Sequence, residues 1–362
     1  MHLKQIKLFC FKNYQDSTFE FHPKINGIIG LNGSGKTTIL DAVHYLCLCK
    51  SFFNPTDMQT VKHDEKSFAV FGDFEKENRE FKIGCTYKLE GRKSIKLNQK
   101  EYEKMADHIG LFPLVIVSPA DTNLISEGSE MRRKFMDSII SQQDKSYLYK
   151  LMTYQKLLQQ RNALLKQFSE TGTFNADILT IYDEQLTEPC QTIFETRQSF
   201  IETLTPIFQA YYRELSSGKE SVHLEYRSQL HDHTHNFKTE LAKHWNTDQK
   251  SGYTTIGIHK DDLIFNLENY PVKRFGSQGQ QKTFVLSLKL AQFDYIKQQK
   301  GIKSLLLLDD IFDKLDNLRF LQLLKMVGDE RFGQIFITDT DQNRIETLFK
   351  EVGLEFKMIS LS

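Results

Sequence analysis

The stretch Gly30-Leu31-Asn32-Gly33-Ser34-Gly35-Lys36-Thr37 constrains this chain more than any other feature. It fits G-x-x-x-x-G-K-[ST] and follows the apolar run Ile25 to Ile29 directly. It also precedes a segment in which Ile39, Leu40, Val43, Leu46 and Cys47 recur at helical spacing, from about Gly35 to Leu48. A strand, a glycine-rich turn and a helix in that order form an anion cradle. Glycines let the backbone amides turn inward, and the helix start adds the positive end of its dipole. The natural ligand is a polyphosphate, so ATP with Mg²⁺ is the expected pair. Gly30, Leu31, Asn32, Gly33, Ser34 and Gly35 would wrap the phosphates. Lys36 would meet the β and γ phosphates, Thr37 would offer its hydroxyl to Mg²⁺, and Thr38 continues the run.

Two further segments gain meaning beside that loop. Ser304-Leu305-Leu306-Leu307-Leu308-Asp309-Asp310 is a buried-strand pattern ending in two carboxylates, as a Mg²⁺-holding strand requires. Asp309 would reach the metal through its water shell, and Asp310 would orient or deprotonate an attacking water. Ser277-Gln278-Gly279-Gln280-Gln281-Lys282 opens a helix carrying Phe284, Leu286, Leu288 and Leu290. Ser277 and Gly279 at a helix start make either a second anion site or a plain serine N-cap. The chain already has one phosphate cradle, so a second anion site points to a second subunit.

The rest of the chain bounds these readings. At 362 residues it is long for one domain, so two units, or one domain with a large insertion, are expected. Lys+Arg and Asp+Glu both total 47, so no global field draws the chain to nucleic acid and any DNA contact must be local. The five cysteines form no CxxC pair, which argues against a disulfide framework or zinc site and fits a reducing compartment. Met1 to Asn13 lacks the apolar core of a signal peptide, and no stretch is long enough to span a bilayer; a cytoplasmic protein without membrane contact is expected.

Residues 1 to 120 read as strands at Leu3 to Phe11, Thr18 to Phe21, Ile25 to Ile29, Phe68 to Phe74, Phe81 to Lys88 and Leu114 to Val117. From about Ser129 to Leu215 apolar residues fall three and four apart, with a break near Thr171 to Asn175. This block reads as an antiparallel helix pair, in which Pro189 and Pro206 should begin, kink or end helices. Strands resume near Val222, and Leu263 to Leu267, Ser304 to Leu308, Gln334 to Thr338 and Phe356 to Leu361 alternate with helices at Gly279 to Gln299, Asn317 to Val327 and Asp341 to Lys350. The fold class expected is α/β, with one ATPase head assembled from both chain ends around an inserted α-helical domain. Its boundaries fall at 1–125 for the N-terminal part, 126–220 for the insertion and 221–362 for the C-terminal part.

With these residues in place, the chain resembles the ATP-binding-cassette class of ATPases, in the branch that contains the SMC, Rad50 and RecF proteins, and RecF-type members most of all. The resemblance runs along nearly the whole chain: Leu8, Phe11, Asn13 and Tyr14, the loop through Thr38, Ser118-Pro119-Ala120-Asp121, and Arg132-Arg133-Lys134-Phe135-Met136-Asp137. Gln160-Arg161-Asn162, Gly257-Ile258-His259-Lys260-Asp261-Asp262, the Ser-x-Gly-Gln-Gln signature and Leu308-Asp309-Asp310-Ile311 follow in order. It implies an ATP-dependent homodimer in which Ser277, Gly279 and Gln280 of one copy meet the γ phosphate held by the other, with Asp316 in a loop crossing the interface. It also implies a DNA repair and replication protein that binds single-stranded, gapped or junction DNA, helps load RecA with RecO and RecR, and acts in recombinational repair and the SOS response. ATP would act mainly as a dimerisation switch, with weak DNA-dependent hydrolysis. Phe275-Gly276-Ser277, Lys282 and Gly257-Ile258-His259 depart from the usual pattern, and Thr338-Asp339 follows Phe336-Ile337 with no switch histidine.

A transporter ATPase subunit is the alternative, but it expects that histidine and no large helical insertion. A full SMC or Rad50 tether needs hundreds of heptad residues, whereas this block holds fewer than about 100. A nucleotide kinase or GTPase would leave the signature helix idle and lacks an Asn-Lys-x-Asp run. His231, His233 and His235 alternate like metal ligands but read better as a solvated loop. Arg79, Lys82, Lys88, Arg92, Lys93, Lys96 and Lys100, with Lys4, Lys7 and Lys12, either track phosphates or form a wet face interleaved with Glu75, Glu77, Glu80 and Glu90.

Overall fold

In the computed structural model, Ile25–Ile29 is buried at every position, as a strand covered on both faces of a parallel sheet must be. It lies in a five-stranded sheet of order Phe356–Ser360, Ile25–Ile29, Ile335–Asp339, Leu305–Leu308, Leu114–Val117, and every neighbouring pair is parallel. Ile29 pairs with Asp339, and Ile337 with Leu308. The carboxyl ends of three adjacent strands therefore meet at one edge, which is where open α/β sheets hold ligands. The loop 30–35, Asp309-Asp310 and Thr338-Asp339 all leave from that edge.

The structure describes residues 1–216, 218, 220–231, 237–310, 322–323, 326, 331–351, 353 and 355–361. They divide into two compact units, one of Met1–Thr122, Ala210–Lys219 and Ser277–Ser362, the other of Asn123–Gln209 and Glu220–Gly276. The expected helix at Asn317 to Val327 falls largely outside the described residues. Among those described, no helix is long and apolar enough to cross a membrane.

In the first unit a six-stranded antiparallel sheet accompanies the parallel one, in the order Tyr14–Glu20, His2–Phe11, Ser67–Lys76, Arg79–Lys88, Ser94–Leu97, Lys100–Glu101. Its inner face supplies Leu3, Ile6, Leu8, Phe68, Val70 and Ile83 to a core shared with Ile39, Leu40, Val43 and Leu46 of the helix Lys36–Leu48. Helix and sheet touch at Gly72, where an added Cβ would stand 2.5 Å from Leu46 Cδ1. The short strands Ser94–Leu97 and Lys100–Glu101 escape a sequence reading because neither is long enough to show a period.

The second unit is built from helices Ser129–Gln143, Lys145–Thr171, most of Ala176–Ser216, and Phe237–Ser251, with a three-stranded sheet of Val222–Arg227, Asp262–Leu267 and Tyr270–Pro271. Those strands were grouped by sequence with the C-terminal part of the head; their contacts place them with the helical block. Asp144 starts Lys145–Thr171 by accepting from the amides of Ser146 and Tyr147, and Gly172 at φ 67° ends it. Lys150 reaches Glu188 and Thr192 while Arg161 reaches Asp183, so this helix and Ala176–Ser216 run antiparallel. Ala176–Ser216 continues unbroken through Pro189 and Pro206. Tertiary packing of Leu186, Cys190, Ile193, Leu204 and Phe208, all buried, outweighs the lost backbone bonds.

Candidate nucleotide-binding site

Backbone shape comes first at the loop. Gly33 at φ 86° and Gly35 at φ 104° occupy the left-handed region that a side chain resists. At Gly35 the restriction is doubled, because a Cβ would lie 2.6 Å from both Asn13 Nδ2 and Tyr14 Oη. Tyr14 donates its hydroxyl to the Gly35 carbonyl at 3.4 Å, and burial pushes its phenol up to about 12. Thus the opening segment Asn13-Tyr14 is a brace under the loop.

Inside the loop, Lys36 is 4% exposed, and its Nζ donates to the carbonyls of Gly30 at 2.8 Å and Leu31 at 3.1 Å. The Ser34 hydroxyl is buried with no partner among the described residues. Leu31, Asn32 and Gly33 form the exposed tip.

Across the sheet edge, Thr37 Oγ1 donates to Asp309 at 3.0 Å from Oδ1 and 3.1 Å from Oδ2. Asp309 is 4% exposed, and burial pushes its carboxyl up to about 6 against the lowering effect of hydrogen bonds from Thr338 and Thr37. Thr338 is the residue sequence reasoning missed. Its buried hydroxyl donates to Asp309 Oδ1 at 2.9 Å and accepts the Asp310 amide at 2.9 Å, tying the Asp309 carboxylate and the Asp310 backbone to the neighbouring strand. Asp310 sits at φ 44°, a strained setting for a residue with a Cβ and one that clusters at functional sites. A threonine in an Ile-x-Asp strand end carries no distinctive spacing, so only the strand register could reveal it. Next to it, Asp339 pairs with Arg344 Nη2 at 2.7 and 2.6 Å.

The signature segment takes the form of a complete capping box. Ser277 Oγ accepts the Gln280 amide at 3.3 Å, and Gln280 Oε1 accepts the Ser277 amide at 2.7 Å. Ser277 and Gln278 are exposed at the first turn of Gln278–Lys300. The N-cap and the anion-site readings therefore coexist, since the cap leaves the outer surface of that turn open. Asp121 of the Ser118-Pro119-Ala120-Asp121 segment pairs with Lys289 of the same helix at 2.7 Å, both nearly buried.

Other sequence candidates are placed elsewhere. Arg132 forms a fork on Asp262 at 2.7 and 3.0 Å, and Arg133 donates to the Asp261 carbonyl, so both brace the second unit. Arg161 is fully buried with Asp183, Asp248 and Thr254, and Asn162 accepts the Thr254 amide and hydroxyl. Arg197 joins Asp137 and Asp261. His231 Nε2 faces the Tyr226 carbonyl at 3.0 Å; His233, His235, Leu315 and Asp316 lie outside the described residues. Among the described residues no three His, Cys, Asp or Glu gather as a metal-holding group, and all five cysteines are free.

A glycine-rich loop on a parallel sheet, an adjacent acidic strand end and a signature helix in one unit define the head of an ABC-type P-loop ATPase. Solved structures share that fold: the Smc head domain with an extended coiled coil from Pyrococcus furiosus superposes with a TM-score of 0.57 at 17% identity, covering 100% of this chain and 94% of that one. The chain belongs to the RecF/RecN/SMC N-terminal domain family, whose family model matches residues 2–360, and within it to the RecF proteins. The DNA replication and repair protein RecF of Flavobacterium johnsoniae is 48% identical over 361 residues, covering 100% of both chains. The structure of the recombination mediator protein RecF-ATPrS in the RecFOR pathway matches with a TM-score of 0.89 at 33% identity, covering 100% of this chain and 96% of that one.

Proposed function

We propose that this chain binds ATP and Mg²⁺ at the loop 30–38 and uses the bound nucleotide to pair with a second copy on DNA, in replication and recombinational repair. The observation that carries the reading is the meeting of Thr37 and Asp309 at 3.0 Å beside a loop whose buried Ser34 hydroxyl has no hydrogen-bond partner among the described residues and whose Lys36 ammonium donates to two loop carbonyls. Their donor set fits the pair: two hard oxygens for Mg²⁺, and amides, an ammonium and a hydroxyl for phosphates. Relatives named as DNA replication and repair proteins, and a solved recombination mediator with an ATP analogue, support the same reading.

In this reading Gly30 to Thr38 hold the phosphates, and Lys36, which gives two of its three N–H donors to the Gly30 and Leu31 carbonyls, meets the β and γ oxygens. Thr37 and Asp309 hold Mg²⁺, which supplies charge neutralisation at the phosphates. Asp310, fixed through its amide by Thr338, orients the attacking water. Ser277, Gly279 and Gln280 of the second copy close the site, with Asp316 at the crossing loop. RecO and RecR are the proposed partners in loading RecA onto single-stranded, gapped or junction DNA, and the work is cytoplasmic.

Sedimentation tests it, using wild type and Asp310→Asn with ATP and Mg²⁺, with and without gapped DNA. The expected result is an ATP-dependent dimer, strongest in Asp310→Asn and lost in Lys36→Ala and Ser277→Ala. A monomer under every condition overturns the paired-site reading.

A further inference from the structure

The outer face of the six-stranded antiparallel sheet carries two exposed rings, Phe9 at 37% and Phe71 at 41%. Alternation along the strands puts them there, since Leu8, Val70 and Gly72 turn to the core. Their centroids are 6.0 Å apart with planes at 77°. Phe71 stands opposite Gly84, and its Cδ1 and Cε1 each lie 3.0 Å from where a Cβ on residue 84 would be. One edge of the ring therefore stands against bare backbone at Gly84, and Phe9 is its exposed neighbour. Two part-exposed rings set nearly at right angles make a corner suited to a flat ring.

Charge is arranged around the corner. Strand register places Thr18, Lys7, Phe71, Gly84 and Lys96 in one cross-strand row, so an exposed lysine flanks the ring on either side. At about 4.8 Å per strand, the Lys7 and Lys96 backbones are roughly 14 Å apart. Neither lysine has an ion-pair partner within 4 Å among the described residues. Asp16 stands opposite Phe9, Asp73 opposite Lys82, and Glu101 opposite Lys96, so the acids edge the row without entering its centre.

We propose that this corner seats an unpaired base of single-stranded DNA, stacked on Phe71 against Phe9, with Lys7 and Lys96 on flanking phosphates. The proposal rests on the DNA-binding part of the proposed function and gives it a location. Covering Gly84 explains Phe71 alone; a second exposed ring and two flanking cations go beyond what that cover requires. A protein-docking patch would exclude lysine from its centre, whereas alternating rings and cations are how single strands are held irrespective of sequence.

The test is anisotropy of a fluorescein-labelled oligo-dT and of a matched duplex, titrated with wild type, Phe71→Leu, Phe9→Leu and Lys7→Gln/Lys96→Gln across a salt series. Each leucine variant should weaken oligo-dT binding about tenfold while leaving duplex affinity and the salt slope unchanged. The double lysine variant should flatten the slope by about 1.4, from two lost phosphate contacts at about 0.7 each. Phe9→Leu leaves the ring over Gly84 in place, so it answers even if Phe71→Leu unfolds. Oligo-dT affinity within twofold of wild type in both leucine variants overturns the seat, including the case where they lose a protein partner instead. Equal losses for duplex and single strand overturn it too. If wild type binds no DNA with or without ATP, the DNA-binding reading falls first and the seat with it.

Discussion

Thr338→Val removes one hydroxyl and keeps the shape of a fully buried side chain. Two consequences follow from the geometry. The Asp310 amide loses its 2.9 Å acceptor, and Asp309 Oδ1 loses a 2.9 Å donor. An unpaired, partly buried N–H costs about 1–3 kcal/mol, so local opening at Asp310 should become easier by about 2 kcal/mol. That corresponds to roughly a thirtyfold faster amide exchange. Hydrogen–deuterium exchange of a peptide covering 305–310 reads it directly, and Thr338→Ser, which retains the hydroxyl, should stay within about threefold of wild type. In the proposed function the valine variant should also slow ATP hydrolysis, because the Asp310 backbone at φ 44° is no longer held by Thr338. Equal exchange in the valine and serine variants would refute the bridging role, since shape alone would then be holding the strand end.

Three more outcomes follow from the structure. Gly35→Ala should abolish ATP-dependent thermal stabilisation, because its Cβ meets Asn13 and Tyr14 at 2.6 Å. Gly33→Ala, with nothing within 4 Å, should cost only the backbone penalty of about 1–2 kcal/mol; equal effects would remove the steric argument. Arg161→Met should destabilise the second unit by about 3–5 kcal/mol in urea unfolding, since it strands Asp183 and Asp248, both nearly inaccessible; a change below about 1 kcal/mol would refute it. His259 is pushed down to about 4 by burial, with Lys260 and Arg133 adding to the lowering and the Thr254 carbonyl and Asp248 opposing it. Its folded value lies below the unfolded one, so the unfolded chain binds the extra proton and stability falls as pH drops from about 6.5 to 4, by up to about 3 kcal/mol. His259→Gln should flatten that part of the pH–stability curve, and an unchanged slope would exclude His259 as its source.

The strand–loop–helix around Gly30 to Thr37 and the apolar strand ending at Asp309 were legible because each joins a short spacing rule to a strong local pattern. Helix limits near Thr171 and Asn175 were legible from apolar periodicity. What was not legible depends on pairing between distant segments. Thr338 bonds Asp309 across a strand register, and Tyr14 braces Gly35 from another sheet. The segments Arg132-Arg133 and Gln160-Arg161-Asn162 carry the family resemblance in sequence without showing what their side chains do. Burial of Arg161 among two aspartates shows one use, satisfying charge inside a helical unit. Pro189 and Pro206 neither begin nor end a helix, since the packing of one 41-residue helix carries it through both.

The loop's internal bonds bear on how a nucleotide would act. Lys36 is held by two carbonyls of its own loop, and Thr37 by the carboxylate proposed to face Mg²⁺. Lys36 has three N–H donors and gives two to Gly30 and Leu31, so one remains for phosphate, and Thr37, which donates its one proton to Asp309, keeps lone pairs that would serve Mg²⁺. In the proposed function, one ligand therefore joins the loop, whose tip residue Leu31 is 80% exposed, to the strand end that carries Asp309 and Asp310. A second copy approaching with Ser277 and Gly279 would then meet a surface that includes the nucleotide. In that reading pairing is conditional on ATP without requiring rapid hydrolysis, and Thr37→Val should weaken Mg²⁺-dependent dimerisation more than metal-free ATP binding. Equal losses in the two measurements would break the link between metal entry and pairing.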